Sequence, residues 1–233
     1  MLETAETFEH WLKVRINGCE REEDSASIMM RKTAKTFDNY FILCGWEKDI
    51  EYKKLAFAKA SEMAETFEQW FLILNHRLGG KNTKKIAFAK ILEMEITFEQ
   101  WLEIQLRSTD PEQKQFSVKM MFEKAKTFDN WCRVCVHSCI DSELHKSAFT
   151  VLSEMPGVYF EQWLNIYREY DNRELSYLAF TKMSEEAEDF DRWYFLLRRG
   201  NFPREIKELA LKTITEMSLS KKQWQKLFGL ETI

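Results

Sequence analysis

Residues 66–70 read Thr-Phe-Glu-Gln-Trp, and residues 97–101 repeat the same five residues. Looser copies of this motif occur along the chain, and each carries an aromatic residue at its last position. These aromatic residues are Trp11, Tyr40, Trp70, Trp101, Trp131, Trp163, Trp193 and Trp224. Successive members are 29 to 32 residues apart, and so steady an interval indicates tandem repeats of about 30 residues.

Each motif has the features of a helix start, and we call the helix that follows helix A. Thr66 and Thr97 are good N-cap residues, and a Gln three positions later completes a capping box in both copies. The acidic residue of the motif recurs in seven copies, where it favours the positive end of the helix dipole. Apolar residues at helical spacing over residues 67–74 predict one buried face.

A second helix, helix B, precedes each motif after the first. Residues 53–74 and 84–105 are identical at 14 of 22 aligned positions, which suggests duplication of one ancestral unit. A small residue recurs early in helix B and predicts that two helices cross closely there. This small-residue column comprises Ala26, Ala56, Ala87, Ser117, Ala148, Ala179 and Ala210.

These helices add up to seven A–B pairs and a final helix A, so the sequence predicts an all-α protein. The pattern resembles the α-helical solenoid repeat proteins, which include HEAT, armadillo and tetratricopeptide arrays. Its period is nearest to that of short HEAT-like two-helix repeats, although the signature residues of these families are absent. The resemblance implies a right-handed α-solenoid of about seven two-helix repeats with a capping helix, forming a single domain over residues 1–233.

Composition restricts the class of protein further. Hydrophobic residues make up 45% and charged residues 31%, which is typical of a soluble globular chain. No apolar run approaches the ~20 residues of a membrane span, and residues 1–6 lack the features of a signal peptide. Five cysteines, an odd number, favour a reducing compartment. We therefore expect a cytoplasmic protein, and the net charge of −4 is too weak to indicate a nucleic-acid or membrane partner.

The eight tryptophans fit either a base-stacking or aromatic-cage site or a hydrophobic core. Seven of them occupy the repeated aromatic position, and a residue repeated once per unit favours the core interpretation. Trp46 is the exception. We expect it to lie in a loop between helix A and helix B and to have no counterpart in other repeats. Such a residue is a candidate for contact with a partner.

Three cysteines and two histidines lie close together in sequence and suggest a metal site: Cys132, Cys135, Cys139, His137 and His145. However, Cys132 and Cys135 occupy positions that are apolar in another repeat, and buried cysteine behaves as a small hydrophobic residue. A second pair of ligands with its own spacing is not apparent. We therefore expect core residues here, and neither a metal nor a cofactor.

Five residues, each six positions after the motif aromatic, change chemistry from repeat to repeat while their neighbours stay constant. This variable column comprises His76, Arg107, His137, Glu169 and Arg199. Variable positions beside a constant scaffold are where repeat proteins usually place specificity, and the alternative is drift at exposed helix ends.

Two columns of helix B give simpler predictions. A glutamate column is expected on the solvated outer face, with an acidic docking ridge as the alternative: Glu62, Glu93, Glu123, Glu154, Glu185 and Glu216. A methionine column is expected to fill gaps in the core: Met63, Met94, Met155 and Met217.

Motifs for phosphate binding, metalloprotease or serine-hydrolase chemistry are absent from the sequence, which favours a non-catalytic protein without excluding an enzyme. The leading hypothesis is a monomeric protein-interaction module that binds a protein or peptide. The alternative is a HEAT-like nucleic-acid-binding protein or DNA-repair glycosylase-like enzyme, which the acidic composition disfavours. A host-directed effector or toxin-neutralising protein is a third hypothesis, and no residue selects it.

Overall fold

The computed structural model describes residues 7–18, 20–139, 142–170, 172–198 and 204–228. These residues form fifteen α-helices and no β-strand, which confirms the all-α prediction. Helices A are α1 (Phe8–Asn17), α3 (Phe37–Trp46), α5 (Phe67–Asn75), α7 (Phe98–Arg107), α9 (Phe128–His137), α11 (Phe160–Glu169), α13 (Phe190–Arg198) and α15 (Lys221–Leu227). Helices B are α2 (Glu20–Thr33), α4 (Ile50–Met63), α6 (Lys81–Leu92), α8 (Pro111–Lys124), α10 (Glu143–Glu154), α12 (Arg173–Glu186) and α14 (Arg204–Glu216).

Capping boxes begin the two helices A for which the sequence predicts them. The Thr97 hydroxyl accepts a hydrogen bond from the backbone N–H of Gln100 at 3.3 Å. In return, the Gln100 side chain accepts one from the backbone N–H of Thr97 at 3.0 Å. Thr66 and Gln69 form the same box, so both predictions are confirmed. Each box satisfies backbone donors that the first turn of a helix leaves unpaired.

Adjacent helices pack in pairs, a helix A with the helix B that follows it. The described residues show this packing for α1–α2, α3–α4, α5–α6, α9–α10, α11–α12 and α13–α14. Every member of the small-residue column is completely buried. The residues one turn later in helix B are also completely buried: Met30, Ala60, Ile91, Met121, Leu152, Met183 and Ile214. Helix B therefore contributes the same two positions to the core in all seven copies.

Contacts divide the chain into two compact units, Met1–Lys114 and Gln115–Ile233. Helices A also touch one another within a unit. In the second unit, for example, the Phe128 ring of α9 lies 5.0 Å from the Trp163 ring of α11, edge to face. α9 and α11 therefore each pack against more than their own helix B.

Most of the repeated aromatic residues belong to the core. Trp11, Trp70, Trp101, Trp163 and Trp193 are buried, which confirms the core interpretation for these five. Tyr40 and Trp131 are half-buried, whereas Trp224 on α15 is exposed.

The methionine-column prediction was wrong. Met63 is exposed, and Met94, Met155 and Met217 are only half-buried. They lie at or just beyond the C-terminal end of helix B, where the chain turns toward the next helix A. The glutamate column is exposed at all six positions, as expected of a solvated face.

Candidate functional site

Trp46 does not lie in a loop, so that prediction was wrong. It is the last residue of α3, because the backbone N–H of Glu47 still donates to the carbonyl of Leu43 at 3.0 Å. Trp46 follows Tyr40 by six positions, so it occupies the same place in its repeat as the variable column and does have counterparts. We call these six positions the helix-A ends: Trp46, His76, Arg107, His137, Glu169 and Arg199.

In the first unit, each helix A contacts the end of the next helix A. Arg15 of α1 donates from Nη2 to the backbone carbonyl of Trp46 at 3.0 Å. The Phe41 ring of α3 lies 5.2 Å from the His76 ring. The Arg107 guanidinium lies 5.9 Å from the centre of the Phe71 ring of α5. Trp46, His76 and Arg107 therefore lie at the ends of successive helices A, and each position contacts the helix A before it.

Trp46 and Arg107 present their side chains to solvent. Trp46 is 47% exposed, while its carbonyl is fixed by the buried Arg15. The Arg107 side chain is 66% exposed and forms an ion pair with Glu103 at 3.3 Å. An amphipathic indole and a guanidinium on a fixed backbone are the side chains that most often anchor protein interfaces.

The His76 side chain, unlike those of Trp46 and Arg107, is packed against other residues. Its ring is half-buried, stacks on Phe57 with 5.0 Å between ring centres, and accepts the Leu78 N–H at Nδ1 over 3.2 Å. Burial lowers the pKa of His76, and the neighbouring cations lower it further. These cations are Arg77, Lys53 and Lys84. His76 is therefore held as a neutral packing residue among positive charges.

The described helix-A ends of the second unit differ from each other in solvent exposure. His137 is half-buried and Glu169 is exposed, whereas Arg199 lies outside the described residues. Beside Glu169, the Tyr170 hydroxyl donates to the Asp129 carboxylate of α9 at 3.0 Å. This contact again joins one helix A to the end of the next.

A buried ion pair holds the segment that follows α3, and sequence reasoning missed it. Arg31 donates to both carboxylate oxygens of Glu47 at 2.7 Å, and Glu47 is almost completely buried. Burial alone would raise the pKa of Glu47, but Arg31 and the backbone N–H groups of Asp49 and Lys48 hold it below its ordinary value. Arg31 lies on α2 and Glu47 lies just beyond the end of α3, 16 residues later, so no local pattern connects them.

A second polar cluster combines a buried serine and a buried histidine with an exposed carboxylate. His145 Nε2 lies 2.8 Å from Glu174, and Nδ1 lies 3.0 Å from the Ser138 hydroxyl and 3.1 Å from the Cys135 carbonyl. Hydrolases use these residue types together for nucleophilic catalysis. Here Ser138 and His145 are both buried, so a substrate does not reach the hydroxyl. The cluster instead joins α9, α10 and α12.

The core interpretation is correct for two of the three clustered cysteines. Cys132 and Cys135 are buried, which confirms that prediction, while Cys139 is exposed. Burial raises the pKa of Cys44 to about 11 and that of Cys135 to about 12, so both stay protonated. Among the described residues, no group of three His, Cys, Asp or Glu side chains is placed to hold a metal ion.

Comparisons with known proteins give no identification. No protein-family model, curated protein or solved structure matches the chain. None of the described helices combines the length and apolar character that a membrane crossing requires.

Proposed function

We propose that the chain is a non-catalytic protein-interaction module that binds a protein or peptide partner through its helix-A ends. In this proposal the helices form a right-handed α-solenoid of about seven two-helix repeats with a capping helix. Residues 1–233 then act as one monomeric, cytoplasmic domain.

The observation that carries the proposal is the contrast between two sets of positions in the same repeat. The small-residue column is always Ala or Ser and always completely buried. The helix-A ends are aromatic, basic or acidic, and the described members are exposed or half-buried. A constant core beside variable accessible side chains is the arrangement by which repeat proteins bind specific partners.

Two observations weigh against the nucleic-acid alternative. Five of the eight tryptophans are buried and therefore unavailable to stack on bases. The net charge is −4, which opposes approach to a polyanion.

Site-specific photo-cross-linking tests the proposal. A benzophenone amino acid replaces Trp46, Arg107 or Glu169 in cells that naturally produce the protein, and adducts are identified by mass spectrometry. Matched controls carry it at exposed positions of the glutamate column, Glu62, Glu93 or Glu185. We expect the same protein adduct from the helix-A ends and not from the controls. Equal labelling from both sets, or adducts only with nucleic acid, contradicts the proposal.

A further inference from the structure

One segment of the first unit differs from the rest in charge. Residues 76–92 contain five cationic side chains and no acidic one, although the whole chain has a net charge of −4. The equivalent segments after α1, α3, α7, α9 and α11 all contain acidic residues. This excess is therefore a property of one repeat and not of the repeat pattern.

The fold brings a further lysine, Lys53 of α4, close to this segment. Phe57, one turn after Lys53 on α4, stacks on the His76 ring with 5.0 Å between ring centres. On the other side, the Lys84 side chain of α6 lies against Gly79, whose backbone N–H donates to the His76 carbonyl at 3.0 Å. Both lysines also lower the pKa of His76. The first turns of two successive helices B therefore flank one helix-A end. We call this group the basic patch: Lys53, Arg77, Lys81, Lys84 and Lys85.

The basic patch lacks compensating acids among the described residues. Two nearby lysines do have them, since Lys54 pairs with Glu51 and Lys90 pairs with Glu93, both at 2.8 Å. Within the described part of the chain, none of the five patch residues has an acidic side chain within ion-pair distance. Uncompensated like charges repel one another, so an anionic partner lowers the energy of this surface.

Exposed aliphatic side chains accompany these charges. Leu55 is 49% exposed and Ile86 is 56% exposed, and they precede Ala56 and Ala87 in successive helices B. Ile86 also directly follows Lys85 of the basic patch. The surface thus offers apolar area beside positive charge, which suits an amphipathic peptide better than a phosphodiester backbone.

We propose that the basic patch docks an acidic, leucine-rich segment of the partner protein, a conclusion that rests on the proposed function. Carboxylates of that segment pair with the lysines, and its apolar side chains cover Leu55 and Ile86. Trp46 and Arg107 contact the flanking parts of the partner.

Fluorescence anisotropy with a defined probe tests this inference. The probe is a fluorescein-labelled peptide of about 20 residues with Glu and Leu at helical spacing, and a second peptide has Gln in place of Glu. K81E/K85E changes only exposed side chains, and K119E/K126E is a control with the same change in net charge. Melting curves establish that both variants are folded.

We expect wild type to bind the Glu–Leu peptide more tightly than the Gln–Leu peptide, with an affinity that falls as salt rises. K81E/K85E weakens binding by about tenfold or more, and K119E/K126E by less than about twofold. Equal losses in both variants, no preference for Glu, or tighter binding of single-stranded DNA through the same lysines overturns the inference. If cross-linking at the helix-A ends still succeeds in that case, the proposed function stands without the acidic segment.

Discussion

Replacing Arg31 with Met tests whether the buried ion pair stabilises the fold. The Glu47 side chain is 3% exposed and the Arg31 side chain 28% exposed. Removing one partner of a buried ion pair costs about 3–5 kcal/mol, because the other charge stays buried. In the variant, Glu47 still accepts a hydrogen bond from the backbone N–H of Lys48 at 2.9 Å. We therefore expect the loss of unfolding free energy to lie near the lower end of this range. The lost stacking of Arg31 on the Tyr52 ring, 4.3 Å away, adds about 0.5–1 kcal/mol.

The pH dependence of the unfolding free energy lost in Arg31→Met is a stricter test of the ion pair. The folded pKa of Glu47 lies below its ordinary value. The carboxylate therefore stabilises the fold above about pH 4.3, and that contribution is lost as the pH falls through the folded pKa. Arg31→Met removes the main group that lowers this pKa. The variant's deficit should therefore be largest at neutral pH and shrink as the pH falls below about 4.

Urea unfolding followed by far-UV circular dichroism measures both effects, at neutral and at acidic pH. Arg204→Met is the matched control, because Arg204 and Glu208 form an exposed pair at 2.6 Å. It should cost less than about 1 kcal/mol. A comparably small loss in Arg31→Met, or a deficit that does not shrink at low pH, refutes the reasoning.

Three further predictions concern the repeats. Trp101→Ala should lower the unfolding free energy by about 3–5 kcal/mol in a urea titration, since this buried ring leaves a cavity. Thr97→Ala should cost about 1 kcal/mol in the same assay through loss of its N-cap hydrogen bond, and Thr97→Ser should retain most of the stability. Under native conditions a thiol reagent should label the exposed Cys139 first, while Cys132 and Cys135 react only after unfolding, as mass spectrometry would show. Rapid labelling of all three would mean that α9 is not packed as described.

Local signals in the sequence predicted most of the helices and much of the core. Thr66 and Thr97 marked helix starts because an N-cap bond acts within three residues. Trp46 was misplaced because helix ends depend on the last backbone bond, which leaves little trace in composition. The contact between Arg31 and Glu47 joins α2 to the residue that follows α3, so it depends on packing rather than on periodicity.

The candidate site was only partly predictable for the same reason. Five of its members were found because they vary at a fixed interval, which a repeated sequence reveals, whereas the structure added Trp46 to that set. Whether each one is accessible depends on neighbours far away in the chain. His76 is packed against Phe57 of another helix, whereas Arg107 extends into solvent from an equivalent position.

The small-residue column has a consequence for how such a chain can evolve. Its members have no exposed area, so any larger side chain there forces neighbouring helices apart, at a typical cost of about 1–3 kcal/mol. Changes at an exposed position such as Arg107 usually stay within about 0.5 kcal/mol. Selection can therefore rewrite the accessible side chains of one repeat at a time, while inheritance of the buried alanines preserves the spacing on which every repeat depends.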